Sequence, residues 1–347
     1  MRRSTKWMMT VHYYICLIMG IQSFCIDQAT GRVYSTTIVS LYSALASMAM
    51  FTLLPLLYYI DFNSPYLHVQ INGLLFVLRI IGLCVTIICN WIKRQEFMTT
   101  LRDLMQARDS FLKRWPLSEK LEQKYENTLR MKYFWGFATT VSMLLLSTEF
   151  YKLQFKLDSK YTLVAVMILY SVFHVLMMNY FLCMFHLNIM LMALNDEIKN
   201  ILKMSCHLWQ LQRAKQIGSG AFITQCCKLA DDLDELAAAQ YRLHLLGNRV
   251  YHMYDIQSAC ATLMVYLNSL SVYYMTYASL QRGQVLAKQY STWSLMLVPI
   301  FLTSYYIDLT IFMFTIMAYP ELYIKTGEML RDCQPCTPTL DGRLEES

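Results

Sequence analysis

Apolar residues gather in seven long stretches, at about 8–26, 37–60, 71–92, 133–150, 161–193, 256–280 and 293–318, with most of the charge in the gaps between them. A helix needs about 20 apolar residues to cross a bilayer. The stretches from 37 onward reach that length. The first is weaker, because His12, Gln22 and Asp27 lie in or beside it. The pattern predicts an all-α polytopic membrane protein. It has six spans plus one N-terminal helix that re-enters the membrane or lies in its interface.

Loop charge orients these elements. Residues 93–132 carry ten Lys and Arg, including Lys93, Arg94, Arg102 and Lys132, whereas 61–71 carry none. The excess of cations places 93–132 in the cytoplasm and 61–71 outside. Alternation then puts 28–36, 194–255 and 319–347 inside, and 151–160 and 281–292 outside. Lys152, Lys156 and Lys160 dissent but form a minority. Arg2, Arg3 and Lys6 favour a cytoplasmic N-terminus, and Arg32 follows the first apolar stretch. Cations on both flanks suit a helix that leaves by the face it entered. Met1-Arg2-Arg3 before an apolar run also resembles a signal peptide, but no small-x-small cleavage site follows.

The cytoplasmic segment 194–255 reads as two helices. Leu194, Ile198, Ile201 and Leu202 extend the preceding span by two turns, Gly218-Ser219-Gly220 breaks the pattern, and a second helix from about 221 runs on into the span at 256. Leu229, Leu233 and Leu236 give that second helix an apolar stripe. A monomer would leave it half exposed, so these three are candidates for subunit contacts. Asp231, Asp232, Asp234 and Glu235 form an acidic face. The domains predicted are a transmembrane helical domain over 1–318, which includes the cytoplasmic segment 194–255, and a cytoplasmic tail over 319–347.

Composition narrows the class. Of 347 residues, 56% are hydrophobic and 16% charged, against about 25% charged in soluble domains. Only 11 Gly and 7 Pro are present, so collagen-like and low-complexity chains are excluded. The net charge of +6 forms no basic stripe with interleaved aromatics, so nucleic acid is not an expected partner. The 11 Cys lie in apolar runs or in loops assigned to the reducing cytoplasm, where free thiols are the rule. Cys333-Gln-Pro-Cys336 has no second pair at metal spacing.

Ionisable and amide groups inside spans cost about 2.5–3.5 kcal/mol each on insertion scales. Arg79, Glu149, His174, Asn179, His186, Asn268 and Asp308 are such groups. One reading is interhelical hydrogen bonding that glues the bundle, at about 1 kcal/mol or less per pair. The other is a small-molecule pocket in the outer half, where aromatic walls and a few polar groups suit a partly apolar ligand. The candidate lining is Glu149, Tyr170, His174, Tyr273, Tyr277 and Trp293. Tyr151, Tyr266 and Tyr274 are nearby, although Tyr and Trp also collect at membrane interfaces without any ligand. The seven His show no H-E-x-x-H spacing and no G-x-S-x-G elbow occurs. Neither an enzyme, nor a cofactor, nor a metal site is expected.

Three local motifs carry a resemblance. They are Phe185-His186-Leu187-Asn188 running into Asn195-Asp196-Glu197-Ile198-Lys199, then Tyr251-His252-Met253-Tyr254-Asp255-Ile256-Gln257, and Tyr319-Pro320-Glu321-Leu322 through Lys325-Thr326-Gly327-Glu328. With them, the chain resembles the insect gustatory receptors. The resemblance implies a plasma-membrane chemoreceptor of taste neurons, with the fold of the insect odorant receptors and a cytoplasmic N-terminus. It implies a tastant-gated non-selective cation channel of four like or unlike subunits. Each subunit would hold its own outer pocket, and cytoplasmic helix extensions would form a central anchor. It also accommodates a non-spanning first helix.

The family ends with a pore-lining seventh span bearing T-Y, five apolar residues and Q-F, which has no counterpart after Ala318. The match is therefore expected to break near Cys333. The alternative is a truncated, pore-less subunit that regulates or joins full-length relatives, or a non-functional product. A transporter would show inverted repeats and broken helices, and neither is seen. A G-protein-coupled receptor would need an external N-terminus, which Arg2, Arg3, Lys6 and the 93–132 loop oppose.

Overall fold

Long unbroken apolar and amphipathic segments with few prolines propagate helix once nucleated. A computed structural model describes residues 3–27, 32–55, 67–154, 159–281 and 292–332, and these are almost wholly helical. In chain order they form α1 (Arg3–Ile18), strands β1 (Cys25–Ile26) and β2 (Val33–Tyr34), α2 (Thr37–Phe51), α3 (Leu67–Ile92), α4 (Arg94–Arg114), α5 (Glu119–Gln154), α6 (Ser159–Arg213), α7 (Ser219–Gln281) and α8 (Thr292–Asp332). The all-α class holds, with one addition: β1 and β2 make a short antiparallel hairpin that pairs Cys25 with Tyr34.

Three described helices are long and apolar enough to cross a membrane by length and composition: Gly73–Ile92, Met167–Arg213 and Met296–Arg331. Helix α2 is a shorter apolar helix. Helices α6 and α7 have 55 and 63 residues. At 1.5 Å per residue they are about 80 and 95 Å long, well beyond a hydrocarbon layer of about 30 Å. The extension of the span at 161–193 therefore runs further than two turns, to Arg213. It stops in a left-handed cap. Lys215 has φ 56°, its N–H bonds the Gln212 carbonyl and the Gln216 N–H bonds the Leu211 carbonyl, the paired bonds of a Schellman motif. The break thus centres on Lys215, and Ser219 and Gly220 already belong to α7.

The basic segment 93–132 is also more ordered than a loop. It is α4 followed by the first turns of α5. Glu96 opens α4 and Lys113 and Arg114 close it, as the helix dipole favours. Two of its cations hold the hairpin: Arg94 donates to the Ser23 carbonyl at 2.9 Å and to Ser35, and Arg102 donates to the Val33 carbonyl at 3.3 Å. Helix α1 ends in a turn at Gly20, whose φ of +67° disfavours any side chain. Its carbonyl accepts the Ser43 hydroxyl of α2 at 2.7 Å.

The chain divides into two compact units. The first comprises Met1–Arg102, Glu126–Phe181 and Tyr251–Phe312, and the second Asp103–Tyr125, Leu182–Val250 and Met313–Ser347. One core of the first unit joins Leu53, Phe76, Ile80, Leu83, Ile87, Leu169 and Val172. A second joins Leu146, Leu297 and Phe301. In the second unit Leu187, Met190, Leu191 and Leu194 of α6 and Leu243, Leu246 and Val250 of α7 are buried. The boundary drawn at 318/319 falls inside α8, which continues to Asp332 with Tyr319 and Thr326 buried.

Candidate functional site: a buried charge cluster in the first unit

Lys132 sits nearly two turns into the part of α5 that belongs to the first unit. Its ammonium meets Asp308 of α8, 2.7 Å from Oδ1 and 3.1 Å from the backbone carbonyl of the same residue. The side chains are only 4% and 14% exposed. The rings of Phe181 on α6 and Phe312 on α8 each lie 5.4 Å from the ammonium, so cation–π attraction adds to the pairing. Removing two charges from water is costly, and the pair is tolerable only because each charge meets the other at hydrogen-bond distance.

Gly136, one turn further along α5, leaves room for the rest of the cluster. A Cβ placed there would stand 2.8 Å from His174 Cε1 and 3.4 Å from Asp308 Oδ1. His174 of α6 and Asp308 thus converge on the same side-chain-free patch of α5. A neighbouring polar group links α1 to α6: the His12 ring nitrogen Nε2 lies 2.9 Å from Asn179 Oδ1, and the Cys16 thiol lies 3.5 Å from the same oxygen. The His12 ring meets Tyr133 edge-on at 6.1 Å. Consecutive residues of α6 carry the assembly, since Tyr180 stacks on Tyr254 of α7 at 4.9 Å and meets Phe312 at 5.9 Å.

Among the described residues no His, Cys, Asp and Glu group could hold a metal. A charged pair deep in a helical bundle is a functional-site hypothesis by default, because any displacement exposes unpaired charge to low dielectric.

Of the predicted pocket residues, the structure brings His174 into this cluster. Tyr273 and Tyr277 are 63% and 57% exposed and share one outward stripe of α7 with Leu263, Tyr266 and Leu270. The side chains of Glu149, Tyr170 and Trp293 lie outside the described residues. His186 falls in the second unit, where its Nδ1 lies 2.6 Å from the Leu182 carbonyl and its ring lies beside Tyr125. Leu229, Leu233 and Leu236 are 3%, 7% and 1% exposed within the single chain. Their stripe is the second unit's own core, because α7 packs inside the chain rather than leaving that face bare. Glu235 of the acidic face pairs with Arg114 of α4, and Arg249 pairs with Asp103 at 2.8 Å.

Sequence reasoning missed Lys132, counting it as a loop cation. Asp308 of α8, which the sequence marks only as an in-span ionisable group, has its partner on α5. The available signal was a lone intramembrane carboxylate in α8 and a lysine between Met131 and Tyr133 at the start of an apolar stretch.

Comparison with known proteins gives concordant results. A family model described as 7tm chemosensory receptor matches residues 9–347, past Cys333, where the resemblance was expected to end. Gustatory receptor 36b of Drosophila melanogaster is 22% identical over 97% of this chain and 84% of its own length. Gustatory receptor 36c of the same species is 23% identical over 78% and 68%. The structure of the insect olfactory receptor OR5 from Machilis hrabei aligns with TM-score 0.58 at 13% identity, covering 92% of this chain and 81% of that one.

Proposed function

Because the chain belongs to the 7tm chemosensory receptor family, we propose that it is a gustatory receptor of the plasma membrane, a subunit of a tastant-gated non-selective cation channel. The observation that carries this reading is the Lys132–Asp308 pair with His174 beside it. Polar groups are retained in an apolar bundle at a cost, and a receptor uses such groups to bind a ligand and to register its arrival. The expected ligand is a small, partly apolar molecule held in the outer half of the first unit. His174 would form the polar floor, and Glu149, Tyr170 and Trp293 would complete the wall. Partners are other gustatory receptor subunits, in a like or mixed tetramer, and membrane lipid.

The N-terminus and residues 93–131 are cytoplasmic in this reading, and Lys132 enters the bundle. Epitope tags at residue 1 and beside Ser110 should stain only in permeabilised cells, and staining of intact cells at Ser110 would reverse the topology. His174→Ala is expected to weaken agonist potency about tenfold, equivalent to about 1.4 kcal/mol, with surface expression retained. Unchanged potency would remove His174 from the ligand site.

A further inference from the structure

The two sequence motifs around Asn188–Asn195 and Tyr319–Thr326 meet in the second unit. The Asn188 side-chain amide donates to the Thr315 carbonyl at 2.6 Å, and the Asn195 amide donates to the Leu322 carbonyl at 3.1 Å. Both contacts span 127 positions. Helices α6 and α8 therefore run parallel here, tied at two points one heptad apart. Asn188, Asn195 and Thr326 are all buried. We propose that Asn188, Asn195 and Thr326 form a register clamp between α6 and α8, in which the hydrogen bond from Thr326 to Asn195 selects the axial register.

The argument rests on what each acceptor specifies. Backbone carbonyls recur on every turn of α8, so a slide of one turn, about 5.4 Å, would present both amides with fresh carbonyls. Nothing in those two bonds forbids it. The Thr326 hydroxyl is different. It lies 2.6 Å from Asn195 Oδ1 and 3.1 Å from the Leu322 carbonyl, and the shorter contact takes its single proton. One turn either way the same position is Leu322 or Leu330, neither of which can donate. A slide would leave a buried amide oxygen without a partner, and that is the costly event. A buried asparagine fixes register in coiled coils by the same logic.

The upper tie shows the contrast. Residue 319 is the heptad equivalent of 326, but the Tyr319 hydroxyl donates to the Leu243 carbonyl of α7 at 3.2 Å. Asn188 Oδ1 is a buried oxygen with no partner among the described residues. Asn188 therefore holds α8 without choosing its register, and Asn195 with Thr326 does the choosing. Interfaces with two discrete arrangements one turn apart are a known basis for conformational switching.

Intrachain cross-linking in membranes of cells expressing the full chain tests this independently of ligand or current. A protease site inserted after Gln281 lets a cross-link hold two fragments together. Only cross-links that need both engineered thiols are scored. Leu191→Cys with Ala318→Cys, at the same 127-residue offset, should cross-link. Leu191→Cys with Phe314→Cys, one turn off, should stay at background. Thr326→Val should raise the 191/314 cross-link about tenfold, as loss of one satisfied buried acceptor allows, and Thr326→Ser should not. If Thr326→Val fails to accumulate, the Asn195→Leu/Thr326→Val double variant removes both polar partners and should show the same rise. A single-register pattern in whichever variant accumulates would overturn the proposal.

Discussion

Lys132→Met is expected to destabilise the protein by about 3–5 kcal/mol, the usual cost of stranding one member of a buried ion pair. Asp308 would then lie unpaired in the bundle, its side chain only 14% exposed. Asp308→Leu alone should be comparably harmful, leaving Lys132 between the rings of Phe181 and Phe312 with its strongest partner gone. The double variant Lys132→Met/Asp308→Leu should recover most of the loss, because an apolar pair of similar volume is often neutral or better than a buried salt bridge. The checks are surface-labelled receptor per cell and thermal melting in detergent. Single variants at parental levels would show that the two groups do not depend on each other.

Gly247→Ala should be the most damaging of the glycine-to-alanine changes among the described glycines of the second unit. The new Cβ would overlap Tyr319 Oη and the ring carbon Cζ that bears it. The ring must leave its slot, giving up its burial and its hydrogen bond to Leu243. Overpacking and a lost buried bond together amount to roughly 3 kcal/mol. Adding Tyr319→Leu to Gly247→Ala should return part of it by removing the clash, with the melting temperature of the double variant above that of Gly247→Ala. A Gly247→Ala protein as stable as the parent would mean that Tyr319 does not occupy this notch.

These two sites mark what sequence could and could not disclose. The helices were legible, because unbroken apolar periodicity over α3, α6 and α8 has few competing readings. The continuation of α7 through residue 256 was legible for the same reason. Lys132 was not, because a cation counted by loop position carries no sign of what it will face. Its identity as a partner of Asp308 depends on α5 and α8 being neighbours, which periodicity does not encode. The stripe at Leu229, Leu233 and Leu236 was visible, yet an apolar stripe looks the same whether it meets another subunit or another helix of its own chain. Asn188 and Asn195 were singled out as motif residues, but their acceptors are backbone carbonyls, which leave no trace in side-chain pattern. Tyr273 and Tyr277 illustrate a further ambiguity: aromatic residues near an interface read alike whether they line a pocket or face outward.

The central claim is that this chain is a ligand-gated channel subunit, and whole-cell recording tests it most directly. Cells expressing the surface-labelled protein, alone and with a gustatory relative, are challenged with a panel of small tastants at fixed voltage. The account predicts an inward cation current evoked by at least one ligand, whose potency falls about tenfold with His174→Ala. Receptor verified at the surface, with no ligand-evoked current alone or beside the relative, would contradict it.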